Sequence, residues 1–519
     1  MHYKKITLCL GLLTAFSFSC NKLDQLNPSY PTVETYFKTS TQLLGGTNSV
    51  YVSFHAGFLV GREWFYLNDL RSDEFAAGGG QLEVVRSQLL NGSALPSNTQ
   101  MSTVWNGLYI LIHRANAVIT NAPKVQDNAA LRDRCVAEAK CLRAWAYYNL
   151  VTLWGGVPIR LTPVDNISDY SPRSSTDKVN AQIIADLTDA AAVLPASYSG
   201  ADVGRVTKGA AQAILGKVYI QKGDYTLAKA EFEKLTASGL YALTDNYTDN
   251  FDEEHEFNKE SIMEAIYFDR GDRKYDASFT GDGAATAQTT LRNQEYNPLS
   301  WRNLIPSDKY LNEFENTVTG SAKTDPRFAA SVYITGDKYD SGNTAITDAD
   351  QNGSASTING KTIKAGWRKY NLIYKQAKAV ATKTYYGGIN QRVIRYSDIL
   401  LLLAECENEL GNTAGAVKYL NQIRSRPSVN MPVYPTAQFP VNGKTDVIKA
   451  LVHERMVELG AEEVRNFDLL RWRKKGYFTT DPLPYFRANR DELLPIPQDE
   501  IANNPSIGKG DVPAQNPGY

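Results

Sequence analysis

Apolar residues recur at three- and four-residue steps over long stretches of this chain, which is the spacing of one face of an α-helix. One such stripe runs from Thr103 to Ile119, and a second covers residues 138–154. The second stripe stops at 155–158 (GGVP), because glycine permits the left-handed exit from a helix and proline cannot continue one. The pattern predicts a mostly α-helical protein.

Two further segments have the spacing of paired antiparallel helices. In 204–235, small residues precede a turn at 223–225 and a second apolar stripe follows it. The segment 404–426 has the same layout around a turn at 410–412. Helix-turn-helix units of about 34 residues are typical of tetratricopeptide-like scaffolds. We count about four such units, two in each half of the chain.

The composition changes in residues 240–394, where Gly, Asp, Asn, Thr and Tyr replace the helical stripes and 358–361 has the pattern of a hairpin turn. Loops carried on a rigid scaffold are the expected place for binding residues. We therefore interpret 20–519 as one body, with a helical half (20–239), a loop-rich inserted ligand-binding region, and C-terminal repeat units with a terminal strap (395–519).

The N-terminus predicts export. Lys4 and Lys5 precede an apolar run over residues 6–18, and small residues lead to Cys20. This is the layout of a signal peptide over residues 1–19, and it is too short for a membrane span. Cysteine at the first mature position is the lipid acceptor of bacterial lipoproteins, so we predict lipidation at Cys20.

The net charge and the cysteine content exclude several other classes of protein. A net charge of −1 gives no electrostatic support for nucleic-acid binding. Outside the leader and Cys20, the cysteines are Cys135, Cys141 and Cys406, none in a C-x-x-C pair. A disulfide-stapled scaffold is thereby excluded, and we expect these three cysteines to be small buried hydrophobes.

Several linked motifs follow one another in a fixed order along the chain. In the first half they are 138–148 (EAKCLRAWAYY), 153–158 (LWGGVP) and 204–208 (GRVTK), and in the C-terminal third they are 395–405 (RYSDILLLLAE), 420–426 (LNQIRSR), 454–459 (ERMVEL), 465–472 (RNFDLLRW) and 493–497 (LLPIP). In combination they resemble the SusD/RagB family of surface lipoproteins, which capture nutrients for an outer-membrane transporter. The arginines of these motifs are expected to be structural, held against carboxylates that fix helix packing.

The resemblance implies a lipid-anchored protein on the outer membrane, facing outward, that captures an oligosaccharide. It would act as a lid for a SusC-like TonB-dependent transporter and would not be an enzyme. Peptide capture remains an alternative within the family. A protein-assembly scaffold or adhesin using the concave face of the repeats is an alternative of another class. A surface hydrolase is a further one, since acids assembled in space leave no linear trace.

Aromatic side chains are the candidate ligand contacts, because flat rings stack on the C–H faces of sugars. The tryptophans at 105, 145, 154, 367 and 472 lie on helical stripes or in family motifs and are expected in the core. The remaining candidates for a glycan platform are Trp64, Tyr275, Tyr296 and Trp301. The resemblance adds Asp73, which lies where relatives bring a polar residue near the ligand.

One stretch partly matches a calcium loop. Asp348, Asp350 and Asn352 stand at positions one, three and five, followed by glycine. Position twelve is Asn359 and not the bidentate glutamate that the motif requires. We interpret this stretch as a solvated polar loop and keep calcium as the weaker alternative, and we predict no other cofactor.

The lipid anchor gives the first testable prediction. We expect Cys20→Ala to release the protein from the membrane fraction, because a diacylglycerol with an amide-linked chain anchors stably where a single chain does not. Detergent-free fractionation followed by immunoblotting measures this. A variant that stays with the membranes would show that Cys20 is not the anchor.

Overall fold

The computed structural model describes residues 36–164, 166, 170–268, 289–315, 324–378 and 387–519. The predictions for the leader, for Cys20 and for Tyr275 concern residues outside these ranges. No helix within the described ranges has the length and apolar character needed to cross a membrane.

Helices dominate the N-terminal half. They are α1 (Ser40–His55), α2 (Glu63–Asp69), α3 (Val84–Leu90), α4 (Thr99–Asn121), α5 (Ala129–Trp154), α6 (Thr176–Val193), α7 (Lys208–Lys222) and α8 (Tyr225–Ala237), with strand β1 (Phe75–Ala77) between α2 and α3. Neighbouring long helices pack against each other in sequence order, α4 on α5, α5 on α6 and α7 on α8.

The middle region is built from short elements. In chain order they are β2 (Ser261–Ala265), α9 (Arg292–Tyr296), β3 (Leu304–Pro306), α10 (Asp308–Glu313), α11 (Pro326–Ser331), β4 (Val332–Ile334), β5 (Lys338–Tyr339), β6 (Thr344–Ala345), β7 (Ser356–Ile358), β8 (Lys361–Ile363) and β9 (Ala365–Trp367). Together with β10 (Gln391–Arg395) the described strands form two-stranded antiparallel pairs: β1–β3, β2–β10, β4–β9, β5–β6 and β7–β8. Single-turn 3₁₀ helices add Ala122–Lys124, Gly200–Asp202, Tyr247–Asn250, Asp340–Gly342, Asp348–Asp350 and Leu372–Tyr374.

The C-terminal third returns to helices: α12 (Tyr396–Glu409), α13 (Thr413–Arg424), α14 (Lys444–Leu459), α15 (Arg465–Lys475) and α16 (Gln498–Asn503). The pairs α7–α8 and α12–α13 are the helix-turn-helix units predicted from 204–235 and 404–426, and α8 packs on α12. The predicted fold class, mostly α with a tetratricopeptide-like scaffold, is confirmed.

Local chemistry explains where these helices begin and end. The Asn98 side chain accepts hydrogen bonds from the backbone N–H groups of Gln100 and Met101, which caps α4. Thr207 caps α7 in the same way, and Gly223 ends that helix with φ +87°, in the left-handed region that favours glycine. The predicted hairpin turn at 358–361 is confirmed, with positive φ at Asn359 and Gly360 between β7 and β8.

The C-terminal strap packs on the helical body, as predicted. Leu494 and Ile496 are buried in the main core, and the Leu494 N–H donates to the Leu153 carbonyl at 2.8 Å. The indole N–H of Trp154 donates to the Pro495 carbonyl at 3.1 Å. The core therefore runs without interruption from the N-terminal helices to the last 30 residues or so of the chain.

The motif arginines hold helices together. Arg471 bonds Glu405 through two nitrogens, both at 2.7 Å, and Arg205 bonds Glu138 at 2.9 Å. Arg143 also bonds Asp186, and Asp398 bonds both Lys217 and Arg455. Lys208 is exposed. Buried charged pairs of this kind fix helix orientation more than they add net stability.

Candidate functional site

Trp301 is the exposed tryptophan of this protein. All seven tryptophans lie within the described ranges; Trp301 is 45% exposed and the other six are at most 4% exposed. The tryptophans predicted for the core are therefore confirmed there, and one indole stands on the surface of the loop-rich region. It follows α9 and directly precedes the buried Arg302.

Three segments hold the turn that carries Trp301. The Trp301 N–H donates to the Gln294 carbonyl at 3.2 Å, and its own carbonyl accepts from the Gln81 amide at 3.0 Å. Arg302 reaches beneath the turn and donates to the Asn352 carbonyl at 2.5 Å and to the Ala365 carbonyl at 2.7 Å. The backbone around the indole is thus fixed by long-range contacts.

Glycines allow these segments to approach closely. A Cβ on Gly78 would lie 1.6 Å from the Arg302 carbonyl oxygen, and one on Gly353 would lie 1.9 Å from the Gly78 oxygen. The Gly78 N–H donates to the Asn303 carbonyl at 2.8 Å, and Ser354 donates to the Gly78 carbonyl at 2.6 Å. Only glycine fits at these two contacts.

The side chains around the turn that carries Trp301 are polar and exposed. Gln81, Asn352 and Ser354 are exposed around the turn, and the amide of Gln81 is oriented by its bond to Trp301. Amide and hydroxyl groups both donate and accept hydrogen bonds, as sugar hydroxyls do. An aromatic face beside amide and hydroxyl groups suits a hydroxyl-rich ligand. We name this set, Trp301 with Gln81, Asn352 and Ser354, the Trp301 platform.

The predictions that Trp64 and Tyr296 belong to the ligand platform are wrong. Trp64 is 4% exposed, packs on Trp145 with ring centres 5.8 Å apart, and donates its indole N–H to Asn149 at 2.7 Å. Tyr296 is 1% exposed and donates its hydroxyl to Asp69. Both rings belong to the core, because each buries a large apolar surface and finds a polar partner inside.

A buried polar network explains why the segment around Tyr296 lies inside despite its polar sequence. Glu295 is fully buried and accepts from Arg62 at 2.7 and 2.9 Å, from Asn303 at 2.5 Å and from the Tyr66 hydroxyl. Every oxygen of this carboxylate therefore has partners from distant parts of the chain. Burial of so polar a segment is possible because these contacts are made.

The prediction of a ligand contact at Asp73 is also wrong. Asp73 is 6% exposed and accepts from Arg465 at 2.7 and 3.0 Å, and it is paired with Lys309. Burial alone would raise the pKa of Asp73, but Arg465 and Lys309 hold that pKa below its usual range. Asp73 is a structural carboxylate that fastens α15 to the start of β1.

The loop with the partial calcium motif is occupied by donors of the protein itself. Asp348 accepts from the Thr335 hydroxyl at 2.6 Å. Asp350 accepts from the N–H of Thr347 at 2.9 Å and is paired with Lys378. The Asn352 carbonyl oxygen is taken by Arg302. An ion here would compete with hydroxyl, amide and ammonium donors, so the geometry favours the polar-loop interpretation.

Acidic residues at 252–256 form surface pairs. Asp252 bonds the His255 ring at 2.9 Å, and these side chains with Asp249 come within metal-ligand distance of one another. Glu253 and Glu254 both pair with Lys375, at 2.7 and 2.6 Å. An exposed carboxylate cluster neutralised by lysine is typical of a solvated surface.

Comparison with known proteins decides the family. A sequence model described as the SusD family matches residues 259–519, half of the chain. The chain belongs to the SusD family. A second model, described as starch-binding and associating with the outer membrane, matches residues 65–220.

Relatives of this SusD-family chain cover nearly its whole length. SusD-like protein P2 of Formosa agariphila is 28% identical over 535 residues, which is 99% of each chain. A solved laminarin-binding SusD-like protein is 25% identical with a TM-score of 0.73, over 93% of this chain and all of the other. A SusD superfamily protein from Bacteroides vulgatus has a TM-score of 0.75 at 22% identity, over 93% of this chain and all of the other, and supports the fold alone.

Sequence reasoning missed the rim of the platform in this SusD-family protein. Gln81, Asn352 and Ser354 stand in polar runs with no periodic pattern. One signal was present: the run of three glycines at 78–80, which indicates close backbone approach where no side chain fits. Tyr275 lies outside the described residues.

The structural role of Asp73 gives the prediction of this subsection. We expect Asp73→Asn to lower the free energy of unfolding by about 3 kcal/mol, since it leaves the buried Arg465 short of its counter-charge. Ligand affinity should stay unchanged in the folded fraction. Urea denaturation and a binding titration measure the two effects.

A matched control is Asp133→Asn, which breaks the exposed pair with Arg132 and should barely change stability. If Asp73→Asn keeps full stability but binds the ligand more weakly, Asp73 contacts the ligand and its assignment as a structural carboxylate is wrong.

Proposed function

We propose that this protein captures an oligosaccharide at the Trp301 platform on the cell surface and delivers it to a SusC-like TonB-dependent outer-membrane transporter. The observation that carries the proposal is the exposure of Trp301 on a turn held by three segments, while every other tryptophan is buried. A large apolar ring exposed to water at a fixed position suits stacking on a ligand.

The geometry favours a glycan over a peptide. Extended peptides are commonly bound through backbone hydrogen bonds to an open strand edge, with pockets for side chains. The platform offers an aromatic face with amide and hydroxyl groups around it, which matches the alternating C–H faces and hydroxyls of a sugar chain. The laminarin-binding relative, whose fold matches over its whole length, supports the same class of ligand.

The platform is preorganised for capture. Its backbone is tied to Gln81, Gln294 and Asn352, and the cation beneath it is held by carbonyl oxygens. Burial lowers the pKa of Arg302 to about 10, which leaves the guanidinium charged at neutral pH. Little conformational entropy is then lost when a ligand binds, so weak stacking and hydrogen bonds translate into useful affinity.

Location and partner are part of the proposal. The leader and Cys20 would place the chain on the outer membrane by a lipid anchor, and the match to a family described as associating with that membrane supports this. The ligand would pass from the platform to the transporter through hinge movement between the two proteins.

The decisive comparison is Trp301→Ala against Trp472→Ala. We expect Trp301→Ala to weaken oligosaccharide binding roughly tenfold, since stacking contributes about 1 kcal/mol or somewhat more, with an unchanged melting temperature. Trp472 is fully buried and donates to Glu405 at 3.0 Å, so its replacement should cost about 3 kcal/mol of stability or more through a cavity. Calorimetric titration with laminarin oligosaccharides and thermal unfolding measure both.

Unchanged affinity of Trp301→Ala for every oligosaccharide tested, with binding of peptides by the unaltered protein, would replace glycan capture with peptide capture. Binding to a partner protein without affinity for any sugar would favour the scaffold alternative. Shortening of the oligosaccharide during the titration would point to a hydrolase.

The transporter partnership has its own test. We expect the full chain, purified from its native membranes in mild detergent, to co-elute with a TonB-dependent barrel, because a lid must remain attached to the pore that it serves. The Cys20→Ala protein, added back to those membranes, should recover part of this association through protein contacts alone. Elution of the anchored protein by itself would contradict the partnership.

A further inference from the structure

A small pocket lies between the segment that follows α2 and the chain that follows α15. Arg71 lines it from the first segment, Leu89 and Arg473 line it from α3 and α15, and Tyr485 and Asp491 line it from the second. The centre of a water-sized sphere has about 10 Å³ in which to move there. This is room for one water molecule or one small ion, and it excludes a sugar ring.

The Arg71 side chain brings a positive charge to this pocket without a counter-charge. Its guanidinium makes one hydrogen bond within the described ranges, from Nη2 to the Asp491 carbonyl at 2.9 Å. Its Nε–H is buried and has no acceptor among those residues. The Asp491 carboxylate pairs instead with Arg487 at 2.8 Å and with Arg490 at 3.0 Å, and no other described carboxylate forms an ion pair with Arg71.

Comparison with the other arginines shows why Arg71 is distinct. In the described part of the chain, six more arginines have a buried guanidinium N–H without an acceptor. Each of those six forms an ion pair with at least one carboxylate, which balances its charge. They are Arg86, Arg134, Arg160, Arg392, Arg426 and Arg455. In this set, Arg71 alone lacks both the acceptor and the counter-charge.

Positive charge predominates around the pocket. Arg473 also lines it and pairs with Asp481 at 2.6 Å. The charged side chains that line the pocket, taken with their ion-pair partners, are four arginines and two aspartates: Arg71, Arg473, Arg487 and Arg490 against Asp481 and Asp491. Burial lowers the pKa of Arg71, and the acidic groups nearby do not offset it.

The pocket offers a second donor beside Arg71. Tyr485 lines it, and the hydroxyl of Tyr485 has no hydrogen-bond partner among the described residues. A water molecule fits the space and accepts hydrogen bonds from both groups, but it leaves the charge of Arg71 without compensation. A monovalent anion of similar size accepts the same hydrogen bonds and supplies the negative charge as well.

We propose that this pocket binds a chloride ion between Arg71 and Tyr485. The ion accepts hydrogen bonds from the buried Nε–H of Arg71 and from the Tyr485 hydroxyl, and it balances the guanidinium charge. Sulfate and the carboxylate of a sugar are too large for the space. Because Arg71 lies before β1 and Tyr485 lies after α15, the bound ion connects the N-terminal half to the C-terminal segment and stabilises their contact.

The first test measures the dependence of stability on chloride. The full chain is unfolded thermally in mixtures of sodium chloride and sodium gluconate at one total concentration, so that the ionic strength stays constant. We expect chloride to raise the melting temperature by about 2 °C over its value in gluconate, since a ligand of the folded state stabilises that state. Arg71→Gln should remove this rise. Arg132→Gln, which breaks an exposed pair with Asp133, is the matched control and should keep it.

The second test measures binding directly by ³⁵Cl NMR. We expect the unaltered protein to broaden the chloride line saturably and Arg71→Gln to abolish that broadening. Tyr485→Phe removes one donor and keeps the ring, so it should weaken chloride binding about threefold, and it provides the test if Arg71→Gln does not fold. Crystals soaked in sodium bromide should show an anomalous peak within hydrogen-bond distance of Arg71 Nε.

Equal melting temperatures of the unaltered protein in chloride and gluconate would overturn the proposal. So would the same chloride-dependent rise in Arg71→Gln, or unchanged chloride binding by Tyr485→Phe. Bromide-soaked crystals without a peak in this pocket would assign the space to water and overturn the proposal too. The proposed glycan capture at Trp301 is independent of each of these results, because no sugar is present in the experiments.

Discussion

A buried carboxylate sets the arrangement of the C-terminal two-thirds of this protein. Glu458 of α14 is fully buried and accepts from Arg395 at 2.8 Å, from Arg426 at 2.9 Å and from Arg327 at 3.3 Å. Burial alone would raise the pKa of Glu458, and the three arginines hold that pKa below its usual range. A charge without its partners could not remain in this interior, so α14 has one position relative to α11, β10 and the end of α13.

The same network ties the loop-rich inserted region to the scaffold. Lys369, which follows β9, donates to the carbonyls of Glu458 and Gly460 and pairs with Glu462 at 2.8 Å. Strand β9 also supplies the Ala365 carbonyl that holds Arg302 under Trp301. The charged core therefore holds strand β9 in place, and β9 in turn fixes the backbone that carries the exposed indole. This is how a surface made of loops keeps a defined shape, and why changes at the indole should alter binding without altering the fold.

Local sequence patterns are sufficient to predict the helices. They are not sufficient to predict which aromatic side chains are buried. The stripe through Trp105 and the glycine stop at Gly155 act within a few residues, so the sequence displays them directly. Trp64 and Tyr296 were placed on the surface because no periodic stripe passes through them. What buries them are bonds to Asn149 and Asp69, which lie 85 and 227 residues away. Pairings over such distances leave no mark on spacing, and neither do the contacts that gather Gln81 and Asn352 around Trp301.

The fold by itself does not select the ligand. Proteins that share only 22% of their residues with this chain keep the same architecture, which means that most side chains can be exchanged while the backbone stays in place. Exchange is least restricted where a side chain faces water, and Trp301, Gln81 and Ser354 stand at such places around one turn. The Trp301 platform combines an indole with amide and hydroxyl groups. Because an indole can stack on many sugar rings, in the proposed function the polar groups around Trp301 decide which sugar is accepted.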